Sequence, residues 1–164
     1  LGNAAPLDMV DTCLCMGAGI TVAQGFHRVE PDAVNFSFIG DSTFFASGLT
    51  GVVNAVYNDA DIVLIVLDNS TTAMTGHQPH PGTGKTVMGE FTQKISISKM
   101  LEAAGVPFVR RVNPLDLRTA IQTVQEAAAF RGVSACRTYG RLQNLHRLWQ
   151  VRSGIGLPGA GDGK

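Results

Sequence analysis

Residues 38–78, FIGDSTFFASGLTGVVNAVYNDADIVLIVLDNSTTAMTGHQ, decide the fold. An apolar run from Asn35 to Ile39 stops at Gly40-Asp41-Ser42, an amphipathic stretch follows from Phe44 to Tyr57, and a second apolar run, Ile62 to Leu67, stops at Asp68-Asn69. Strand and helix periods make this a β-α-β unit. A crossover of that length is right-handed and joins parallel strands, so Asp41 and Asn69 are expected together at the carboxyl edge of one sheet, where α/β proteins bind ligands.

The alternation continues outward on both sides. Residues 5–31 open with APLDMVDTCLCMGAG and continue as ITVAQGFHRVE, an apolar, small-residue helix after a Met-Gly turn, ended by Pro31; Gly17, Ala18, Gly19, Ala23 and Gly25 leave room for close approach, either by the sheet or by a ligand. Residues 92–104 read as a helix closed by Gly105, and Phe108–Val112 as a strand. Pro114 and Asp116 introduce a helix over 115–130 with Leu117, Ile121, Val124 and Ala128 on one face, and Val133–Cys136 reads as one more strand. The expectation is an α/β fold, a parallel sheet flanked by helices. It occupies residues 1–136, with a basic, glycine-rich and irregular tail over 137–164.

A chain of 164 residues with 45% hydrophobic content fits one domain with a sizeable core. Its formal charge is zero but unevenly placed: residues 1–130 carry 7 Lys/Arg against 12 Asp/Glu, and residues 131–164 carry 6 against 1. A basic arm for nucleic acid is one reading of that end, a solvated tail the blander and preferred one. No run of about 18 apolar residues occurs, and no signal peptide pattern opens the chain. Three cysteines cannot all pair, and Cys13 and Cys15 are too close for an ordinary disulfide, so reduced thiols and a cytoplasmic setting are expected. The chain starts at Leu1, which is read as a fragment.

The chemistry that fits the central unit is a diphosphate held through a divalent ion. Asp41 offers a carboxylate and Asn69 an amide oxygen, hard ligands suited to Mg²⁺. Gly40 permits close approach of the backbone, Ser42 and Thr43 add hydroxyls, and a helix starting near Phe44 turns its positive end to the anion.

A Gly-Asp-Ser triplet alone is weak, but longer words are specific. Gly40-Asp41-Ser42 followed by Asn69 resembles the thiamine-diphosphate motif, which begins GDG and closes at an Asn. APLDMVDTCLCMGAGI, FIGDSTFFASGLTG and LDNSTTAMTGHQPHPGTG are similar to the α subunit of indolepyruvate ferredoxin oxidoreductase, a thiamine-diphosphate-dependent 2-oxoacid oxidoreductase, over roughly residues 5–130. The resemblance implies thiamine diphosphate and Mg²⁺ as cofactors, with Asp41, Asn69 and the carbonyl of Thr71 as metal ligands. It places Cys15, Met16 and Gly17 beside the aminopyrimidine, Gly40, Ser42 and Thr43 at the diphosphate, and Met74 as the apolar wedge that bends the cofactor. Thr75, Gly76, His77 and Gln78 would line the reaction pocket, the last two as catalytic candidates; His80 invites the same proton-shuttling reading less strongly, and each histidine equally reads as a polar loop residue.

The implied reaction is oxidative decarboxylation of an aryl 2-oxoacid to an acyl-coenzyme A, with electrons passed to [4Fe-4S] clusters of the parent enzyme and to ferredoxin. The implied partners are a pyrimidine-binding domain, which supplies the glutamate that activates the cofactor, and a second subunit. Neither a membrane nor a nucleic acid is expected as partner, and the isolated chain is expected to be inactive. Another thiamine-dependent 2-oxoacid oxidoreductase subunit, or an inactive truncated scaffold, stays open.

Pro79 to Thr86, PHPGTGKT, is one residue from a P-loop, with proline where the first glycine should stand. Proline has a locked φ and no N–H to give a phosphate. A P-loop should also leave its strand directly, whereas eleven residues separate Leu67 from Pro79. A P-loop nucleotidase is the less favoured alternative.

Overall fold

The computed structural model describes residues 3–139. Helix α1, Ala18–Val29, precedes strand β1, Phe36–Gly40; a helical run then passes through α2, Asp41–Thr43, a π-helical segment, Phe44–Gly48, and α3, Leu49–Tyr57, before β2, Ile62–Leu67. Helix α4, Ile97–Ala103, β3, Phe108–Val112, α5, Leu117–Ala129, and β4, Val133–Thr138, complete the order. The four strands are all parallel and lie in the order β1-β2-β4-β3.

That order explains the layers. From β1 to β2 and from β2 to β3 the chain advances across the sheet in one direction, so right-handed crossovers place α3 and α4 on one face; from β3 it steps back to β4, and α5 must cross the other face. The core divides accordingly. Ile62, Leu64 and Val66 of β2 pack with Ile20, Val52, Ile97 and Leu101 on the first face, while Val63 and Ile65 pack with Phe108, Ala127 and Cys136 on the second. A strand buried on both faces needs a continuous apolar run, which is what IVLIVL supplies.

Three sequence expectations shift. The helix after β1 begins at Asp41 instead of near Phe44, with Gly40 as an extended cap, so Asp41 stands in its first turn. The helix expected over 92–104 is confined to Ile97–Ala103, because Thr92 N–H is taken by Gly84 O and Ile95 N–H by Pro81 O; Ser96 then caps the helix by accepting from Lys99 N–H. Strand β4 runs to Thr138, two residues past the expected limit at 136, and the tail expectation beyond Tyr139 lies outside the described residues.

Register fixes the functional edge. Gly40 aligns with Leu67, Leu67 with Thr138, and Val112 with Thr138, so all four strands end in one row. Asp41 and Asp68 leave that row side by side.

Candidate functional site

Asp41 follows β1 and is only 2% exposed. Its Oδ1 accepts the N–H of Ser42 at 2.8 Å and its Oδ2 accepts the N–H of Ser70 at 2.7 Å, so the loop after β2 is closed onto the end of β1. Asn69 Oδ1 accepts the N–H of Thr71 at 3.0 Å, which turns the chain and brings the Thr71 backbone in behind it. Ser42 Oγ and Thr72 Oγ1 hydrogen bond at 2.7 Å across the same gap. The residues expected at a metal-diphosphate site, 40–43 and 69–71, therefore meet at one place.

Electrostatics separates the two acids there. Burial pushes the Asp41 carboxyl up from its ordinary value; the Ser42 N–H opposes this and the neighbouring Asp68 adds to the rise. Burial acts on Asp68 in the same sense, but the hydrogen bond and charge of Arg137 outweigh it and hold Asp68 below the ordinary range. Arg137 Nε lies 2.8 Å from Asp68 Oδ2, and Nη2 also bonds that oxygen. Among the described residues no lysine or arginine pairs with Asp41. A buried carboxylate with no lysine or arginine of its own among the described residues fits a divalent metal ion, and Asn69 Oδ1 and the Thr71 carbonyl are the further oxygen donors expected from the sequence.

A crevice of about 270 Å³ opens beside this edge, lined by Thr12 to Gly19, Val22, Phe38 to Gly40 and Thr43. It brings Cys15, Met16 and Gly17 together with Gly40 and Thr43, as expected of neighbours along one ligand. Gly17 has φ +93°, and a Cβ there would lie 2.3 Å from Ser47 Oγ, which itself bonds Met16 O at 3.3 Å; only glycine lets this turn seat against the helix. Cys13 and Cys15 are exposed free thiols, and among the described residues no group of three His, Cys, Asp or Glu side chains forms a metal cluster.

The rest of the loop projects outward. Ala73–Thr75 form a 3-10 turn, Met74 is 81% exposed, and Gly76 and His77 have φ +117° and +63°. Thr72 N–H to Gln78 O and His77 N–H to Thr72 O, both 3.0 Å, tie the turn, and Thr75 Oγ1 bonds Gln78 Oε1 at 2.7 Å. Thus His77, Gln78, Met74, Thr75 and Gly76 share one exposed turn, with the cluster at Asp41 at its base. His80, absent from the expected site residues, is buried with Nε2 3.1 Å from Asp41 Oδ2. Nothing in Pro-His-Pro-Gly announces a partner 39 residues away; the only local signal is a turn stiffened by Pro79 and Pro81.

The P-loop alternative fails on context. Thr83 N–H and Oγ1 both bond His80 O, Lys85 Nζ lies 5.7 Å from the centroid of the Phe91 ring, and the next helix opens only at Ile97.

A family model described as thiamine pyrophosphate enzyme, C-terminal TPP binding domain, matches residues 2–136. The chain is 45% identical over 134 residues to the indolepyruvate oxidoreductase subunit IorA of Archaeoglobus fulgidus, covering 82% of this chain and 21% of that protein. It is 37% identical over 172 residues to the subunit of the same name from Pyrococcus horikoshii, covering 92% and 26%. A solved 2-oxoglutarate:ferredoxin oxidoreductase from Magnetococcus marinus, with 2-oxoglutarate, coenzyme A and succinyl-CoA bound, superposes with a TM-score of 0.66 at 16% identity, over 74% of this chain and 44% of that one. That likeness is one of fold. The chain spans 21% and 26% of the length of the two curated relatives.

Proposed function

The chain belongs to the thiamine pyrophosphate enzymes, as their C-terminal TPP binding domain, and from that premise we propose that it is the cofactor-holding part of a 2-oxoacid:ferredoxin oxidoreductase acting on aryl pyruvates such as indolepyruvate. The observation that carries the reading is the contact between Ser70 N–H and Asp41 Oδ2 at 2.7 Å, which closes two adjacent parallel strands around one set of hard oxygens. The relatives named indolepyruvate oxidoreductase supply the substrate class.

Asp41, Asn69 and the Thr71 carbonyl would hold Mg²⁺, and Gly40, Ser42 and Thr43 the diphosphate at the first turn of the helical run. Cys15, Met16 and Gly17 would face the pyrimidine end, and Met74 would give the cofactor an apolar contact from the loop. When bound, thiamine diphosphate supplies the carbanion and the electron sink for loss of CO₂. The chain's own share is to orient the cofactor, exclude water around it, and present His77 and Gln78 from the outer turn to donate or accept protons at the substrate. Coenzyme A would take the acyl group, while electrons would leave through [4Fe-4S] clusters on another part of the parent enzyme to ferredoxin.

The pyrimidine-binding domain and a second subunit complete the site in this reading, with the cofactor domain reaching through β4 to Thr138. The setting is cytoplasmic, without membrane or nucleic-acid partners; among the described residues no helix is long and apolar enough to cross a membrane. Calorimetry with thiamine diphosphate and Mg²⁺ tests the reading on the full-length protein. Mg²⁺-dependent binding is expected there, with weak binding and no turnover for the 164-residue chain alone; absence of binding to the full-length protein contradicts it.

A further inference from the structure

We infer that His80 is a positioning residue for the metal ligand Asp41, fixing which carboxylate oxygen faces the cation and pinning the inner half of the loop to the end of β1. The inference rests on the cofactor reading above and adds to it a residue which that reading leaves out.

The ring is held from three sides. Gly82 N–H donates to His80 Nδ1 at 3.1 Å, so the ring hydrogen stands on Nε2 and is donated to Asp41 Oδ2, 3.1 Å away. Thr83 N–H and Oγ1 both bond His80 O at 2.8 Å, closing a tight turn around the residue. The Phe45 ring covers the imidazole at 5.7 Å between centroids, and Gly82 sits so close that a Cβ would come within 2.9 Å of Phe45 and 3.0 Å of His80. The side chains of His80 and Asp41 are only 5% and 3% exposed. A histidine held this tightly has one available partner direction, and Asp41 fills it.

The consequence lies in the hydrogen-bond count on the carboxylate. Oδ2 accepts from Ser70 N–H and from His80, whereas Oδ1 accepts from Ser42 N–H. Of these donors Oδ2 takes two and Oδ1 one, so Oδ1 is the oxygen left freer for a further ligand. Removing the imidazole leaves Oδ2 held by Ser70 N–H alone, so the carboxylate is fixed less firmly. Outer partners of this kind, which orient a ligand without touching the metal, typically change metal affinity by about 10–100-fold.

The test is a Mg²⁺ titration of the full-length protein in saturating thiamine diphosphate, followed by calorimetry, for wild type, His80→Gln, His80→Asn and His80→Ala. Glutamine can place an N–H where Nε2 stands; asparagine reaches only to the position of Nδ1. The inference predicts that Gln stays near wild type while Asn and Ala weaken Mg²⁺ binding by about 10–100-fold. A role in packing alone predicts no split between Gln and Asn, and equal binding by all four proteins, or equal loss in Gln and Ala, overturns the inference. If wild type itself binds no Mg²⁺ with the cofactor, the cofactor reading falls instead. Should the variants fail to fold, ¹⁵N-histidine spectra of wild type decide: the His80 ring must carry its hydrogen on Nε2, and a hydrogen on Nδ1 overturns the inference.

Discussion

Two strands end side by side, each followed by a buried aspartate, and the two acids are treated differently. Asp68, after β2, is gripped by Arg137 from β4 and held ionised. Asp41, after β1, receives two backbone N–H groups and a histidine, but no lysine or arginine of the described residues. Burying a carboxylate is costly unless a cation or several donors compensate. Asp68 holds the sheet edge together through Arg137, while Asp41, in the reading proposed above, is left to hold something brought from outside.

Substitutions can break that comparison, beginning with the largest effect. Asp41→Ala is expected to abolish Mg²⁺-dependent thiamine diphosphate binding, a loss of at least about 100-fold in affinity, with unchanged far-ultraviolet circular dichroism; calorimetry at matched Mg²⁺ reads it. His77→Ala should leave that affinity close to wild type, since the ring is exposed on the outer turn, while turnover of indolepyruvate with coenzyme A and a dye acceptor falls by about 100-fold. Arg137→Met should act oppositely to Asp41→Ala: it strands the Asp68 charge and costs about 3 kcal/mol of stability in urea unfolding, with cofactor still bound by the folded fraction.

The smallest effect sharpens the contrast between buried and exposed acids. Asp116 caps α5 at the surface, and the Thr119 hydroxyl and N–H hold its carboxyl below the ordinary value of 3.8. A folded-state value depressed in this way contributes stability above the unfolded value, and the contribution is lost as pH falls through the folded one. The melting-temperature difference between wild type and Asp116→Ala should therefore be constant at neutral pH and shrink below about pH 3.8. A difference independent of pH down to pH 2 would show that Asp116 caps as a neutral acceptor, its charge contributing nothing.

The fold was legible where one strong local signal sufficed. Ile62–Leu67 is apolar at every position and becomes the doubly buried strand at the bounds read from sequence. Thr92 to Ser96 misled because their composition suits a helix, yet the loop takes their N–H groups through Gly84 and Pro81, contacts that depend on the folded loop and not on local propensity. The helix start moved to Asp41 because Gly40 already holds the extended cap, so Asp41 gains the first turn. Asp41 and Asn69 were legible as neighbours at one sheet edge, because the crossover alone brings their positions together, whereas Thr71 came only through the resemblance. His80 and the Arg137 partner of Asp68 were not: each contact spans 39 or 69 residues of sequence and is set by how the loop and β4 settle on the sheet edge.

The central claim is that the ends of β1 and β2 hold a metal-bound diphosphate. Crystals of the full-length protein grown with thiamine diphosphate and Mn²⁺ in place of Mg²⁺ test it most directly, through the anomalous signal of manganese. The account predicts one peak within coordination distance of Asp41, Asn69 Oδ1 and the Thr71 carbonyl, about 2.0–2.3 Å by analogy with Mg²⁺ and oxygen ligands. A fully bound cofactor with its manganese elsewhere, and Asp41 untouched by it, would contradict the account.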